Sequence, residues 1–568
     1  MPIKSLYQPL DIPQTNVLTY LFGNGATLSH EPIWFDANDP SRSLSPHQLV
    51  QWIRRLGLGL QRLGVRRGDV VMICTPNHIL VPVAYLGITG SGCIFSGANP
   101  VFTVAELSHQ LANTEAKAVL AHPSVLAKIL EAAAKANVPK ARIFQFSDSP
   151  GILPPQDGVP DWKAMLAPYE EAYDWEWPAL TPSEARSTVA TINFSSGTTG
   201  LPKGVCVPHA SLVANVEQAI HLRHAHRKPS WDAQPRNRWI GLLPLYHAYG
   251  QLYACLMAAK TLTPIYVLPK FQYEDFLRAI QRYGITQLQV APPIVVMLAK
   301  RPETARYDLS SVRHLMCGAA PLSRELQMLC QDKFGFRITQ GYGMTELTCS
   351  GITFAEGLDG DNLGSVGRLL PNCECKLLDD EGNEVGEGEP GELFIRGPNV
   401  CLGYWRNEAA TKECLDDEGW FRTGDIAVVN SEGLFSIVDR KKASANLSEL
   451  IKVNGLQVAP AELEAALLEN EHIADAAVVD IRFAEDEWPR AYVVLQPASK
   501  GKVSPKDIQD WTAARVAKHK RLVGGVVFID EVPKLASGKI IRKVVRQWSR
   551  RDAEEMVKNG TAPVRARL

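Results

Sequence analysis

The stretch Asn193-Phe-Ser-Ser-Gly-Thr-Thr-Gly-Leu-Pro-Lys-Gly204 decides how the rest of the chain is read. It follows Thr188-Val-Ala-Thr-Ile-Asn-Phe194, an apolar and β-branched run that predicts a strand. A helix is expected after it, from about His209. Ser195, Ser196, Thr198 and Thr199 offer four hydroxyls within five residues. Gly197, Gly200 and Gly204 let the backbone turn sharply and approach a ligand. Lys203 adds a positive charge. Exposed N–H groups, hydroxyls and a lysine suit a polyphosphate. The common ATPase loop needs Gly, four residues, then Gly-Lys-Ser/Thr. Here Lys203 stands between Pro202 and Gly204, so this is a different loop. A polar surface turn is the plainer reading of a lone Gly/Ser/Thr cluster. The whole twelve-residue string weighs against it.

Working outward, 568 residues exceed one core and predict two or more domains. A net charge of −1 points to neither a nucleic-acid nor a membrane surface. No apolar run reaches the length of a membrane span, and Met1-Pro-Ile-Lys-Ser-Leu6 lacks an export core. The eleven cysteines form no CxxC pair and read as free thiols in a reducing compartment. Cys373 and Cys375 fit alternate positions of a strand.

Upstream, Ser45-Pro46 caps a helix carrying Leu49, Ile53, Leu56 and Leu60 at helical spacing. A strand at Asp69–Cys74, a helix near Ile79–Thr89, and strands at 116–121 and 141–146 around an alanine-rich helix predict an α/β domain. Gly87-Ile-Thr-Gly-Ser-Gly92 follows a helix, not a strand, and reads as packing. Residues 147–185 read as an irregular connector. His221, His224 and His226, among Arg223, Arg227 and Lys228, read as a solvated basic loop rather than a metal site. Downstream, Ile240 to Gly250 joins a strand to a loop holding His247 and Tyr249. Phe336 to Glu346 is again a strand entering a polar loop. From about 360 to Val438, short strands between Gly/Asp/Asn turns predict a small antiparallel barrel or sheet.

Taken in order, these strings resemble the adenylate-forming superfamily of acyl-CoA synthetases, 4-coumarate–CoA ligases, beetle luciferases and adenylation domains. The resemblance covers nearly the whole chain. Ser195 to Val205 is similar to its phosphate loop, and Gln340-Gly-Tyr-Gly-Met-Thr-Glu346 to its adenine and magnesium segment. Gly419-Trp-Phe-Arg-Thr-Gly-Asp425 resembles its ribose motif and Asp439-Arg-Lys-Lys442 its hinge. Pro533-Lys-Leu-Ala-Ser-Gly-Lys539 resembles its C-terminal lysine motif. The resemblance implies a multidomain α/β fold. A large N-terminal domain (1–439) would hold two α/β subdomains and a small β-barrel. A hinge (440–448) would lead to a small mobile α+β domain (449–568).

It further implies ATP, Mg²⁺ and CoA as cofactor and co-substrates. Ser195 to Gly200 and Lys203 would hold the β- and γ-phosphates. Thr345 would contact the α-phosphate and Glu346 would hold Mg²⁺. Gly318, Ala319, Ala320, Gln340, Gly341 and Tyr342 would surround adenine. Asp425 would bind the ribose, with Arg440 and Lys442 nearby. Lys539 would reach the reacting carboxylate and α-phosphate. His247 and Tyr249 would line the acyl site. Lys270, Lys452 and Gly455 would contact CoA. Singly, Glu346, Asp425 and Lys539 read as an ordinary surface carboxylate, a turn residue and a solvated lysine.

The chain departs from the family pattern at three places. Ala443-Ser-Ala-Asn-Leu-Ser448 intervenes between the hinge and Glu449-Leu-Ile-Lys452. Asn454 replaces a lysine that often precedes the glycine. Gly391-Glu-Leu-Phe-Ile-Arg-Gly397 differs from the coumarate-ligase signature at two residues. No aspartate in 246–250 could pair with a substrate amine, which disfavours α-amino acids. Aromatic and fatty acids stay open. Three readings remain: an acid–CoA ligase in a specialised pathway, a luciferase-like oxygenase, and a non-catalytic nucleotide binder. The terminal Ala566-Arg567-Leu568 is similar to the peroxisomal Ser-Lys-Leu address. A peroxisomal location, with an import receptor as partner, is therefore expected ahead of a cytoplasmic one.

Overall fold

The computed structural model describes residues 2–23, 27–195, 202–225, 236–355, 363–440, 451–453, 456–458, 460–483, 486–535 and 538–559. Only the backbone of Arg440 and Lys452 is described. Ser196 to Gly200, His226, Lys442, the 443–448 departure, Gly455 and the C-terminal tripeptide lie outside these residues.

Two largely parallel sheets organise the first two thirds of the chain. One has six strands, in the order Ile143–Gln145, Ala118–Ala121, Val70–Cys74, Ile94–Ala98, β1 (Val189–Ser195) and β2 (Lys203–Pro208). Buried on both faces, its inner strands are apolar throughout, as Val70–Cys74 shows. β1 and β2 pair antiparallel. The stretch expected to run from strand through loop straight to a helix therefore returns first along its own strand. Only then does α1 (His209–His224) begin.

The second sheet has nine strands. Several of its members frame the site. The helix α2 (Pro292–Lys300) leads to β3 (His314–Cys317), which pairs parallel with β4 (Arg337–Tyr342). Two consecutive prolines open α2, where missing N–H groups cost nothing.

A five-stranded sheet including β5 (Phe421–Val429) pairs antiparallel, as the short-strand texture after residue 360 predicts. Buried side chains of all three sheets join one continuous core. The C-terminal part has its own core, with Ile451, Leu463, Val478 and Trp488 among its members. A chain segment with its own core is a separate folding layer. The mixed α/β architecture of a large N-terminal domain and a small C-terminal one is thus as expected.

Two sequence expectations are corrected. Residues 147–185 are not merely irregular: they hold a 3₁₀ turn (Trp162–Met165) and helices at Tyr169–Ala172 and Pro182–Ser187. Trp162 is fully buried there. Nor do His221 and Arg223 lie in a solvated loop. α1 continues through His224, and Arg223 stacks 4.4 Å from the Trp239 ring centre. Among the described residues no three or more His, Cys, Asp or Glu side chains cluster as a protein-built metal site would need. The packing reading of Gly87 stands, since a Cβ there would meet Leu56 at 2.8 Å. All eleven cysteines are free. No helix among the described residues is long and apolar enough to cross a membrane.

Buried His209 starts α1, and its Nδ1 accepts the N–H of Val17 at 3.2 Å. Lost hydration pushes it down to about 3, and the half-buried His314 likewise to about 3. Both folded values lie below the unfolded one near 6.5, so the unfolded chain takes up these protons first. Stability is therefore expected to fall as pH drops from about 6.5 towards 3, by up to roughly 1.4 kcal/mol per pH unit for each histidine. Urea midpoints at pH 7 and pH 5 check this. His209→Asn, which keeps an acceptor but does not titrate, should flatten the slope.

Candidate active site

The hairpin of β1 and β2 brings Ser195 opposite Lys203 at its mouth. Residues 402–405 run along β2. Leu402 N–H donates to the Cys206 carbonyl at 2.9 Å, Cys206 N–H to that of Gly403 at 2.9 Å, and Trp405 N–H to that of Gly204 at 2.7 Å. This ladder fixes Tyr404 between two groups. The Lys203 ammonium lies 5.0 Å from its ring centre, an attractive cation–π distance. The Tyr404 hydroxyl donates to Glu346 Oε1 at 2.9 Å. Burial and the Glu346 charge push the phenol well up, so it stays a neutral donor. Thr345 and Glu346 are both buried on the turn Thr345–Leu347. Sequence reasoning missed Tyr404; its one signal, the pair Tyr404-Trp405, says nothing of Glu346.

β3 and β4 supply the neighbouring wall. After β3, Gly318-Ala319-Ala320 turns away, with Ala319 at φ +71°. A left-handed alanine costs on the order of 1 kcal/mol and is kept where its surroundings dictate it. Gln340 is part of that dictation. Its Oε1 accepts the Leu322 N–H at 3.1 Å and its Nε2 donates to Gln327 at 3.1 Å. The Gln340 side chain thus ties down the loop beside it. Tyr342 at the end of β4 donates its hydroxyl to Asp425 Oδ2 at 2.6 Å. Asp425 is buried on β5 and pairs with Arg440 across the sheet.

A reciprocal amide pair, Asn193 with Gln251 at 2.9 and 3.0 Å, ties β1 to the third wall. That wall runs from His247 into a π-helical stretch, Gln251–Met257. Such stretches recur at functional sites. His247 is half-buried, and its Nδ1 accepts the Tyr249 N–H at 3.3 Å. Lost hydration, aided by the nearby charge of Lys539, pushes it down to about 4. It is a neutral imidazole at physiological pH. The Tyr249 hydroxyl donates to the Met316 carbonyl at 3.3 Å.

Lys539 comes from the small domain. It closes a hairpin in which Leu535 N–H donates to the Lys539 carbonyl at 2.8 Å, and Lys534 pairs with Asp475 at 2.7 Å at its base. Gly538, at φ +84°, lets the tip touch the large domain: a Cβ there would lie 3.0 Å from that of Ala291. The other end of α2 is held too. The Lys300 ammonium donates to the carbonyls of Asn470 and Ile473, each at 2.9 Å, and to that of Leu468. The small domain thus grips α2 at both ends and brings the Lys539 charge within electrostatic reach of His247.

A glycine-rich hairpin joined through Tyr404 to a buried carboxylate, a tyrosine–aspartate pair, and a lysine of the small domain whose charge reaches His247 are the parts of the candidate site. Chain-wide similarity agrees. The AMP-binding enzyme family matches residues 27–405, and its C-terminal domain matches 462–539. The chain belongs to the AMP-binding enzyme family. Among its relatives is the acyl-CoA ligase azaF of Aspergillus niger, 35% identical over 94% of this chain and 98% of that one. Another is the probable 4-coumarate–CoA ligase 2 of Dictyostelium discoideum, 36% identical over 88% and 90%. The ATP-bound MatB of Rhodopseudomonas palustris superposes with a TM-score of 0.78 at 26% identity, over 95% and 99%.

In this AMP-binding enzyme, Lys270 is the only residue expected to meet CoA whose side chain is among the described residues. Lys270 is exposed after the strand Ile265–Val267. Of Lys452 only the backbone, on the strand Ile451–Val453, is described.

Proposed function

We propose that the cleft joins a carboxylic acid to AMP and then passes the acyl group to CoA. The reaction class is that of an AMP-forming acid–CoA ligase. A carboxylate oxygen attacks the α-phosphorus of ATP, the bond to the β-phosphate breaks, and pyrophosphate leaves. The CoA sulfur, having lost its proton, then attacks the acyl carbon and AMP departs. Both steps gather charge at the α-phosphate, so fixed cations and donors supply most of the acceleration.

Ser195 to Gly200 and Lys203 cradle the β- and γ-phosphates. Thr345 donates to the α-phosphate. Gly318, Ala319, Ala320, Gly341 and Tyr342 enclose adenine with their backbone and ring, while Gln340 supports the loop. Asp425 accepts from the ribose, with Arg440 and Lys442 beyond it. His247 and Tyr249 face the acid, and Lys539 bridges it to the α-phosphate. The buried Glu346 carboxylate, oriented by Tyr404 beside the phosphate hairpin, is a hard oxygen donor that suits Mg²⁺. The ion would neutralise phosphate charge. Lys270, Lys452 and Gly455 meet CoA after the small domain turns about the hinge near 440–448. A specialised pathway and a peroxisomal setting, through the C-terminal tripeptide, complete the reading.

The observation that carries this reading is Lys539, from one domain, within electrostatic reach of His247 in the other. The test is a panel of aromatic and fatty acids with ATP, Mg²⁺ and CoA, scored separately for pyrophosphate and thioester. Both products are expected with at least one acid; pyrophosphate with none overturns the proposal. Asp425→Ala tests the ribose contact. It should raise KM for ATP roughly tenfold, the value of a charge-assisted hydrogen bond, with a smaller change in kcat.

A further inference from the structure

Behind Tyr249, a second space opens between α1, the π-helical stretch and β3. Its free volume is about 30 Å³, room for a group the size of one or two waters. It belongs to the acid side of the cleft. Met316 lines it and sits two residues before Gly318, and the Met316 carbonyl takes the Tyr249 hydroxyl. Thr353, another lining residue, would lie 3.1 Å from a Cβ on Gly341. An acid with its carboxyl at His247 and Lys539 would point its far end here.

Part of the lining is apolar: Leu222, Met316 and Phe354. Tyr253, Ser350 and three further groups add polar atoms. The Arg223 guanidinium enters from α1, 4.4 Å from the Trp239 ring centre and 5.9 Å from that of Tyr253. The faces of those rings hold it in place. Among the described residues no carboxylate pairs with it. The Thr353 hydroxyl is buried and has no hydrogen-bond partner. His314 shares a hydrogen bond with Thr339 at 2.8 Å, and lost hydration with the charges of Arg223 and Arg337 keeps it neutral. A cation and a spare donor in a small space with partly apolar walls lack an anionic acceptor. A chain selecting a plain hydrocarbon tail would gain nothing from either.

We propose that Arg223, with Thr353, receives a second anionic oxygen group at the distal end of the substrate, so that the preferred acid is a dicarboxylate. This rests on the acid–CoA ligase reading and names its substrate class. Lacking the second carboxylate, a monoacid would leave the guanidinium buried beneath it and unpaired, which is how a polar site rejects an analogue.

The experiment uses the full-length protein and matched acids: the straight-chain diacids from glutarate to sebacate against monoacids of equal length, and 1,4-benzenedicarboxylate against benzoate. Pyrophosphate release gives kcat/KM, and thermal shift with a non-hydrolysable ATP analogue gives binding. The best diacid should exceed its monoacid by roughly tenfold or more. Arg223→Met should lose roughly tenfold to a hundredfold on that diacid through KM, and keep or improve the monoacid. Arg223→Lys should retain the diacid preference. A monoacid preference at every length overturns the proposal, as does an equal loss on both acids in Arg223→Met, which would make Arg223 a packing residue. Pyrophosphate from no acid would sink the ligase reading instead. Binding then decides this inference: Arg223-dependent stabilisation by a diacid upholds it, and its absence overturns it.

Discussion

Lys539→Ala should lower acyl-adenylate formation roughly a hundredfold to a thousandfold, the usual cost of removing one preorganised charge from a charged transition state. Lys539 is placed for this by contacts that do not involve its ammonium. The hairpin closes through Leu535, its base is pinned by Lys534 and Asp475, and its glycine tip rests against Ala291. These contacts remain in the variant. In the wild type, lost hydration, aided by this positive charge, keeps the His247 ring neutral. Without Lys539, His247 should titrate at a higher pH. The check is twofold: pyrophosphate release with the best acid, and thioester formation from synthetic acyl-adenylate. Only the first should collapse. If adenylate formation survives unchanged, Lys539 is not the bridging cation.

Lys300→Met should lower adenylate formation roughly tenfold to a hundredfold without touching any reacting group. Three carbonyls of the small domain, those of Leu468, Asn470 and Ile473, accept from one ammonium at the end of α2. Burial lowers that ammonium to about 8, so it is still charged at neutral pH. Charge-assisted hydrogen bonds are worth about 1.5–3 kcal/mol each, and the carbonyls regain water when the domains part, so the net effect is a fraction of the sum. The effect falls on the balance between domain arrangements. Transfer from preformed acyl-adenylate to CoA, which needs another arrangement, should hold steady or rise. A parallel fall in both half-reactions would show that Lys300 merely stabilises the fold.

What the sequence determined was the chemistry. The phosphate stretch, Thr345-Glu346, Asp425 and Lys539 each lie in a short motif whose meaning is local: which groups a loop of a few residues can present. The alternation of strand and helix before residue 360 and the short strands after it likewise predict the sheets that form. What only the tertiary structure decided is how those groups are partnered. Tyr404 serves Glu346 from 58 positions away, across a backbone ladder with β2 that no local pattern encodes. The Gln340 side chain braces the loop through Leu322 and Gln327. Arg223 leaves an apparently solvated basic run to line an inner space, because α1 continues three residues past His221 and the ring of Trp239 waits there. Local propensity chooses an element; which face it buries, and against which distant side chain, depends on packing summed over the whole fold.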